Sequence, residues 1–191
     1  MAVYSVFESS NMQSTHYAKR IFDVVASEDI ENGTFGYLDG LADGYDVIYN
    51  FAKGVKAGAL IVVADQPAWS EDTSRITNQR RDNFIIKAGT PFRARVIAIS
   101  DEFAISAEGF SVGTKDLVIN TTDFKANDVY VTVDTDGKLV ASNSSTPDAI
   151  FEGKVTRKRV VGGVLTTNAH TYGHSYALYE VKVEVAKGGN C

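Results

Sequence analysis

From about residue 30 onward the sequence breaks into short β-prone runs set apart by glycine and by Asp-Gly or Asn-Gly pairs, and this spacing restricts the chain to an all-β arrangement of short strands. The candidate strands are Thr34 to Leu38, Asp46 to Phe51, Ala59 to Ala64, Phe84 to Lys87, Pro91 to Ile99 and Glu102 to Ser106, followed by Leu117 to Asn120, Val129 to Asp134, Lys138 to Ala141, Ile150 to Val161 and Tyr176 to Ala186. In the last run Tyr179, Val181, Val183 and Val185 alternate with Glu180, Lys182 and Glu184, the pattern of a strand with one wet face. Asp134-Thr135-Asp136-Gly137 sits between two β-prone runs and predicts a hairpin, because Gly137 accepts the positive φ of a tight turn. Lys56-Ala57-Gly58, Lys87-Ala88-Gly89 and Lys125-Ala126-Asn127 each precede a β-prone run and predict turns that launch strands, with Gly or Asn in left-handed backbone. The expected class is mainly β, a β-sandwich or a β-barrel-like fold with Greek-key and hairpin strands.

The first 15 residues show neither a helix stripe nor a long strand, and they read as an extended N-terminal arm. Val3, Tyr4, Val6 and Phe7 on it need a surface to cover them, on their own domain or on a neighbour, and are candidate partner-binding residues. Ala18, Ile21, Phe22 and Val25 recur at helical spacing and predict one short helix over 16–27, with a strand over Ile21 to Val25 as the competing reading. The expected organisation is an arm (1–15) and one β-rich domain (16–191), with a possible subdivision near 107–124.

Several function classes lose support. Hydrophobic residues make up 44% of the chain and charged residues 23%, values of a chain that folds around a core. The longest apolar runs, Ala59 to Ala64 among them, fall far short of the roughly 20 residues of a membrane span. The first residues lack the basic and apolar regions of a secretory signal, so synthesis in a cytosol is expected. One cysteine, Cys191, allows no disulfide within the chain. A net charge of -5 argues against direct nucleic-acid binding. Two local basic clusters, Arg75 with Arg80 and Arg81, and Lys154 with Arg157, Lys158 and Arg159, read as a polar loop and as the guarded solvent face of a strand.

His170 and His174 have the spacing of two ligands on a helical turn, but their surroundings read as a polar hairpin loop without a third ligand. His16 is the one other histidine, and no motif supports a nucleophile beside it. The Asp134 loop carries Ser145 where a calcium loop needs its twelfth-position glutamate, and Gly33-Thr34-Phe35-Gly36 is a turn into a strand, not a phosphate loop. The pair Asp101 and Glu102 leaves glycoside hydrolysis as the least excluded enzyme class. A non-enzymatic protein without cofactor or metal is expected.

A long polar stretch runs from Asp65 to Asn83 and holds the only tryptophan, Trp69, either an anchor onto the domain or an interface residue. The stretches Asn127-Asp128-Val129-Tyr130-Val131-Thr132-Val133-Asp134-Thr135-Asp136-Gly137-Lys138-Leu139-Val140 and Ala149-Ile150-Phe151-Glu152-Gly153-Lys154-Val155 resemble tailed-phage head-decoration (cement) proteins and related β-rich virion proteins. The resemblance implies a protein that sits between capsid subunits of an assembled shell and reinforces it, often through an ordered terminal arm. It also implies the major capsid protein or other virion subunits as partners, a homo-oligomer on the virion, no membrane, and residence in the virion after synthesis in the host cytoplasm. The alternatives are a phage tail tube or head-tail completion protein, and a carbohydrate-binding β-sandwich with Trp69, Tyr45 and Tyr49 as a stacking platform.

Overall fold

A computed structural model describes residues 3–16, 20–67, 81–167 and 170–188, and within these only the backbone of 163–167 and 170–174. The chain is mainly β with few helices. Five short strands, β2 (Ile21–Val25), β3 (Phe35–Leu41), β4 (Tyr49–Lys53), β5 (Ile61–Ala64) and β6 (Phe92–Val96), close into a barrel in the order β2-β4-β3-β5-β6. β2 makes the closure by pairing parallel with β4, Val24 opposite Tyr49, and antiparallel with β6, Ile21 opposite Arg95. Closure leaves the barrel no free edge. Its interior holds Val24, Phe51, Val62, Ala64, Phe92, Ala94 and Val96. The Phe51 and Phe92 rings meet with centroids 5.4 Å apart, near the edge-on geometry that aromatic quadrupoles favour.

A six-stranded sheet lies against the barrel. It comprises β1 (Phe7–Asn11), β7 (Glu102–Ser106), β8 (Tyr130–Val133), β9 (Leu139–Ser142), β10 (Phe151–Thr167) and β11 (His170–Ala186), in the order β1-β7-β11-β10-β8-β9. Every pairing in it is antiparallel. Its inner face presents Phe7, Phe103, Ile105, Val131, Leu139, Phe151, Tyr179, Val181 and Val183 to Phe35, Ile61 and Val63 on the outside of the barrel. β5 shows why its sequence is apolar throughout: alternate residues point to opposite faces, so Val62 and Ala64 fill the barrel while Ile61 and Val63 join the core between barrel and sheet.

The first strand corrects the expectation of an arm. Phe7 lies opposite Ile105 and Glu8 opposite Ala104, and Val6 and Phe7 are 2% and 1% exposed. The segment is pinned along its length: the amides of Tyr4, Ser5 and Val6 donate to the Asp82 carbonyl, Glu31 Oε2 and Ser106 Oγ at 2.8, 2.9 and 2.9 Å. β1 thus completes the chain's own sheet, and the barrel is inserted between β1 and its neighbour β7. The change from barrel to sheet falls between β6 and β7.

Three local expectations also change. Phe84 to Lys87, expected as a strand, carries only an isolated bridge between Ile86 and Ile30. Of the helix expected over 16–27, residues 17–19 lie outside the described residues; Ile21–Val25 is a barrel strand, as the competing reading had it, and the short helix α1 is Gln13–His16. Leu117 to Asn120, expected as a strand, belongs to helix α2 (Lys115–Asn120), which buries Val118 beside β9. Runs this short carry no period that separates strand from helix, so tertiary packing decides. The Asp134 hairpin forms as expected, with φ of 75° at Gly137 and Asp134 Oδ1 accepting from the amides of Asp136 and Lys138, each at 2.9 Å. Gly58 and Gly89 adopt the expected positive φ, whereas Asn127 does not.

Candidate functional site

The outer face of the sheet, away from the barrel, is where strand alternation collects the charged side chains of β1, β7, β10 and β11. Glu8, Ser10 and Asn11 from β1, Glu102 from β7, Arg157 and Arg159 from β10 and Glu180 from β11 line a groove of about 250 Å³. Arg157 and Arg159 belong to the cluster read as the guarded face of a strand, and their partners are carboxylates of neighbouring strands, whereas Lys158 donates to the Ile119 carbonyl at 3.3 Å and lies over the Tyr179 ring. Arg157 pairs with Glu180, Arg159 bridges Glu8 and Glu180, and Arg81 reaches Glu8 at 2.7 Å. Lys154 pairs with Asp128 at 2.8 Å. These cations are already engaged by carboxylates, an arrangement suited to holding strands in register, not to cradling a phosphate.

Burial would push the Glu8 carboxyl up, but hydrogen bonds from Arg159 and Arg81 outweigh it and hold the group below its ordinary value. A group so depressed is a poor general acid at neutral pH. It also makes stability depend on pH. The contribution of Glu8 is fully present above the unfolded carboxyl value of about 4.3 and is lost as pH falls through the lower folded value. Glu8→Gln should therefore lower stability by about 1 kcal/mol at pH 7, the scale of a partly screened pair. Urea titrations at pH 7 and in strong acid should show the gap between wild type and variant closing at low pH; a gap independent of pH would refute this account.

The pair considered for glycoside hydrolysis is split between two roles. Asp101 is 1% exposed, and its two oxygens accept from the amides of Gln13 and Ala98, both at 2.8 Å, so the carboxylate ties α1 to the turn before β7. Glu102, next along the strand, lines the outer groove. His170 and His174 stand in β11, opposite Thr167 and Gly163, so the expected loop is a strand. Residues four apart on a strand are about 13 Å apart, too far for the adjacent-ligand geometry of a helical turn. Among the described residues no group of three metal-ligating side chains occurs. No helix among them is long and apolar enough to cross a membrane.

Of the residues singled out for partner binding, Val3 remains 52% exposed, Tyr4 is half-buried, and Val6 and Phe7 are core. Trp69, with Arg75 and Arg80, lies outside the described residues. Tyr49 packs edge-on against Phe22 at 5.6 Å and is half-buried in the barrel, apart from the exposed Tyr45 with which it was to form a platform.

The sequence reading missed the loop between β3 and β4. Leu41, Tyr45 and Val47 around it are 51%, 47% and 71% exposed. The Ala42 amide donates to the Ile48 carbonyl at 2.8 Å and the Tyr45 amide to the Ala42 carbonyl at 3.1 Å, which folds the loop compactly at the rim of the barrel. Asp46 to Phe51 was expected as a strand; β4 begins at Tyr49, and that later start leaves Val47 on the loop. The legible signal was Asp43-Gly44, turn residues flanked by apolar ones. Leu41 at the end of β3 and Tyr45 and Val47 on the loop thus leave three large apolar side chains in water at this rim. No family model matches the chain, no curated protein matches it, and no solved structure matches it.

Proposed function

We propose that the chain is a non-enzymatic structural protein of a tailed-phage virion, which seats on the assembled shell beside the major capsid protein and reinforces it. The observation that carries this reading is the exposure of three large apolar side chains at the barrel rim, Leu41, Tyr45 and Val47, which a protein partner would cover. The groove on the opposite kind of surface, polar and filled by its own ion pairs, offers no comparable ligand chemistry. The attachment surface in this reading is therefore the loop and not the N-terminal segment. The long β10-β11 hairpin favours a second reading, a tail tube or head-tail completion subunit, whose strands reach neighbouring copies.

Isolating the tagged chain from the cells that produce it, then imaging the eluate and identifying its dominant partner by mass spectrometry, tests the reading. Closed shells with one dominant shell protein are expected, and tubes point to the second reading. Free chain without particles overturns both. Replacing Leu41, Tyr45 and Val47 together with serine should weaken attachment tenfold or more, since about 1.4 kcal/mol already gives that factor. The melting temperature should stay within a few degrees, because these side chains are already largely in water. Undiminished attachment would remove the loop from the interface.

A further inference from the structure

The β10-β11 hairpin outruns its sheet. β7 pairs with β11 only over Leu178 to Lys182, and β8 pairs with β10 at Gly153 and Lys154. Beyond the sheet, Val161 and Tyr176 pack with Val6, Ala104 and Leu178 at the hairpin's base. Six further register pairs, from Gly162 opposite Ser175 to Thr167 opposite His170, continue as a ribbon. At about 3.3 Å per residue this ribbon runs about 20 Å. Among the described residues no strand borders it on either side. A two-stranded ribbon alone in water is marginal.

The two ends of the sheet itself are closed by the chain's own groups. At β9 the Leu139 carbonyl accepts from the Ser111 amide at 2.7 Å, and the Ala141 amide donates to Thr114 Oγ1 at 3.2 Å. At β1 the Arg81 guanidinium donates to the Phe7 carbonyl at 2.5 Å, and the Ser9 carbonyl accepts from Met12 N and Thr15 Oγ1 at 3.1 and 2.5 Å. Strand addition to this sheet is therefore left to the ribbon.

Charge selects the occupant. Residues 160–179 contain no Asp, Glu, Lys or Arg in a chain that is 23% charged and carries a net charge of -5. Exposed strand edges are ordinarily guarded by charge or proline, and this stretch has neither. Two acidic copies meet there at the lowest electrostatic cost, and a strand pairing antiparallel with its own twin about a two-fold axis is self-complementary.

We propose that the 162–167 and 170–175 ribbon is an assembly element, pairing edge to edge with the same ribbon of a second copy of this chain. It gives a location to the self-association contained in the virion reading, and the purified chain tests it without any shell, so the two fail separately. Sedimentation velocity over a wide concentration range, with hydrogen exchange of the ribbon amides at each concentration, reads it out. Mass should rise toward two copies while the ribbon amides become protected in step.

Two variants keep the test independent of folding. Val164→Lys with Tyr172→Lys adds like charges to every ribbon and should weaken association at least tenfold. Replacing 162–175 by Asn-Gly joins Val161 to Tyr176, which already face each other in register, through a two-residue hairpin turn; it should abolish association and leave the melting temperature within a few degrees. A single copy at every concentration overturns the proposal, as does association that survives the short turn. Protection of the ribbon's outward-facing amides in the dilute single copy would also overturn it, because the chain itself would then cover the edge, as would protection of those amides gained only when shells are added.

Discussion

Replacing Phe7 with alanine should cost about 3 to 5 kcal/mol, the range for deleting a buried aromatic side chain whose cavity cannot collapse. The ring is 1% exposed, stands 5.4 Å from the Phe103 ring, and belongs to the core between sheet and barrel. For a chain of this length such a loss lowers the melting temperature by about 6 to 20 °C. Deleting residues 1–12 removes Val6 and Met12 as well, which are also buried, and should leave little of a stability that is commonly about 5 to 15 kcal/mol. Val3→Ala, at a position 52% exposed, is the control and should change little. Calorimetry decides the matter. A Phe7→Ala loss under about 1 kcal/mol would mean that β1 does not dock on its own sheet and would restore the reading of the segment as an arm.

Gly137→Ala should cost about 2 to 5 kcal/mol, where Gly44→Ala costs only about 1. Both glycines hold positive φ, 75° and 80°, so both substitutions carry the left-handed strain of an L side chain. A Cβ at Gly44 meets nothing within 4 Å, whereas one at Gly137 would stand 2.3 Å from the Phe35 carbonyl and 2.8 Å from Thr34 Cγ2. The Gly137 carbonyl also accepts from the Phe35 amide at 2.9 Å, so the turn of the β8-β9 hairpin is docked on the first residue of β3. The difference between the two variants in urea isolates this close approach from the conformational term. Equal losses would show that hairpin and barrel are not held together here.

The hairpin at Gly137 was legible because its requirements are local: a glycine at the left-handed position, aspartates whose carboxylates accept nearby amides, and β-prone runs on both sides. Its contact with Phe35 was not, since Phe35 lies about a hundred residues earlier in the chain. The ion-paired face followed the same division. The sequence marked Lys154, Arg157, Lys158 and Arg159 as a strand's solvent side, but Glu8, which receives Arg159, belongs to a strand at the opposite end of the chain. Tyr45 was marked only as one possible member of a platform with Tyr49; the barrel packs the half-buried Tyr49 against Phe22 and leaves Tyr45 on the rim loop.

Alternation and turn chemistry by themselves determined that the chain is mainly β, placed most strands to within a few residues, and set the inward face of β11 as Tyr179, Val181 and Val183, all at most 1% exposed. These are properties of neighbouring residues, expressed at a period of two. Tertiary structure alone decided that the first residues form a strand, that Ile21–Val25 closes a barrel, and that Lys115–Asn120 is helical. Each of these segments is too short for its own pattern to select a conformation, so the choice falls to whichever distant surface it covers. For Phe7 that surface is Phe103 and Ile105, about a hundred residues away; for Val118 it is the core beside β9.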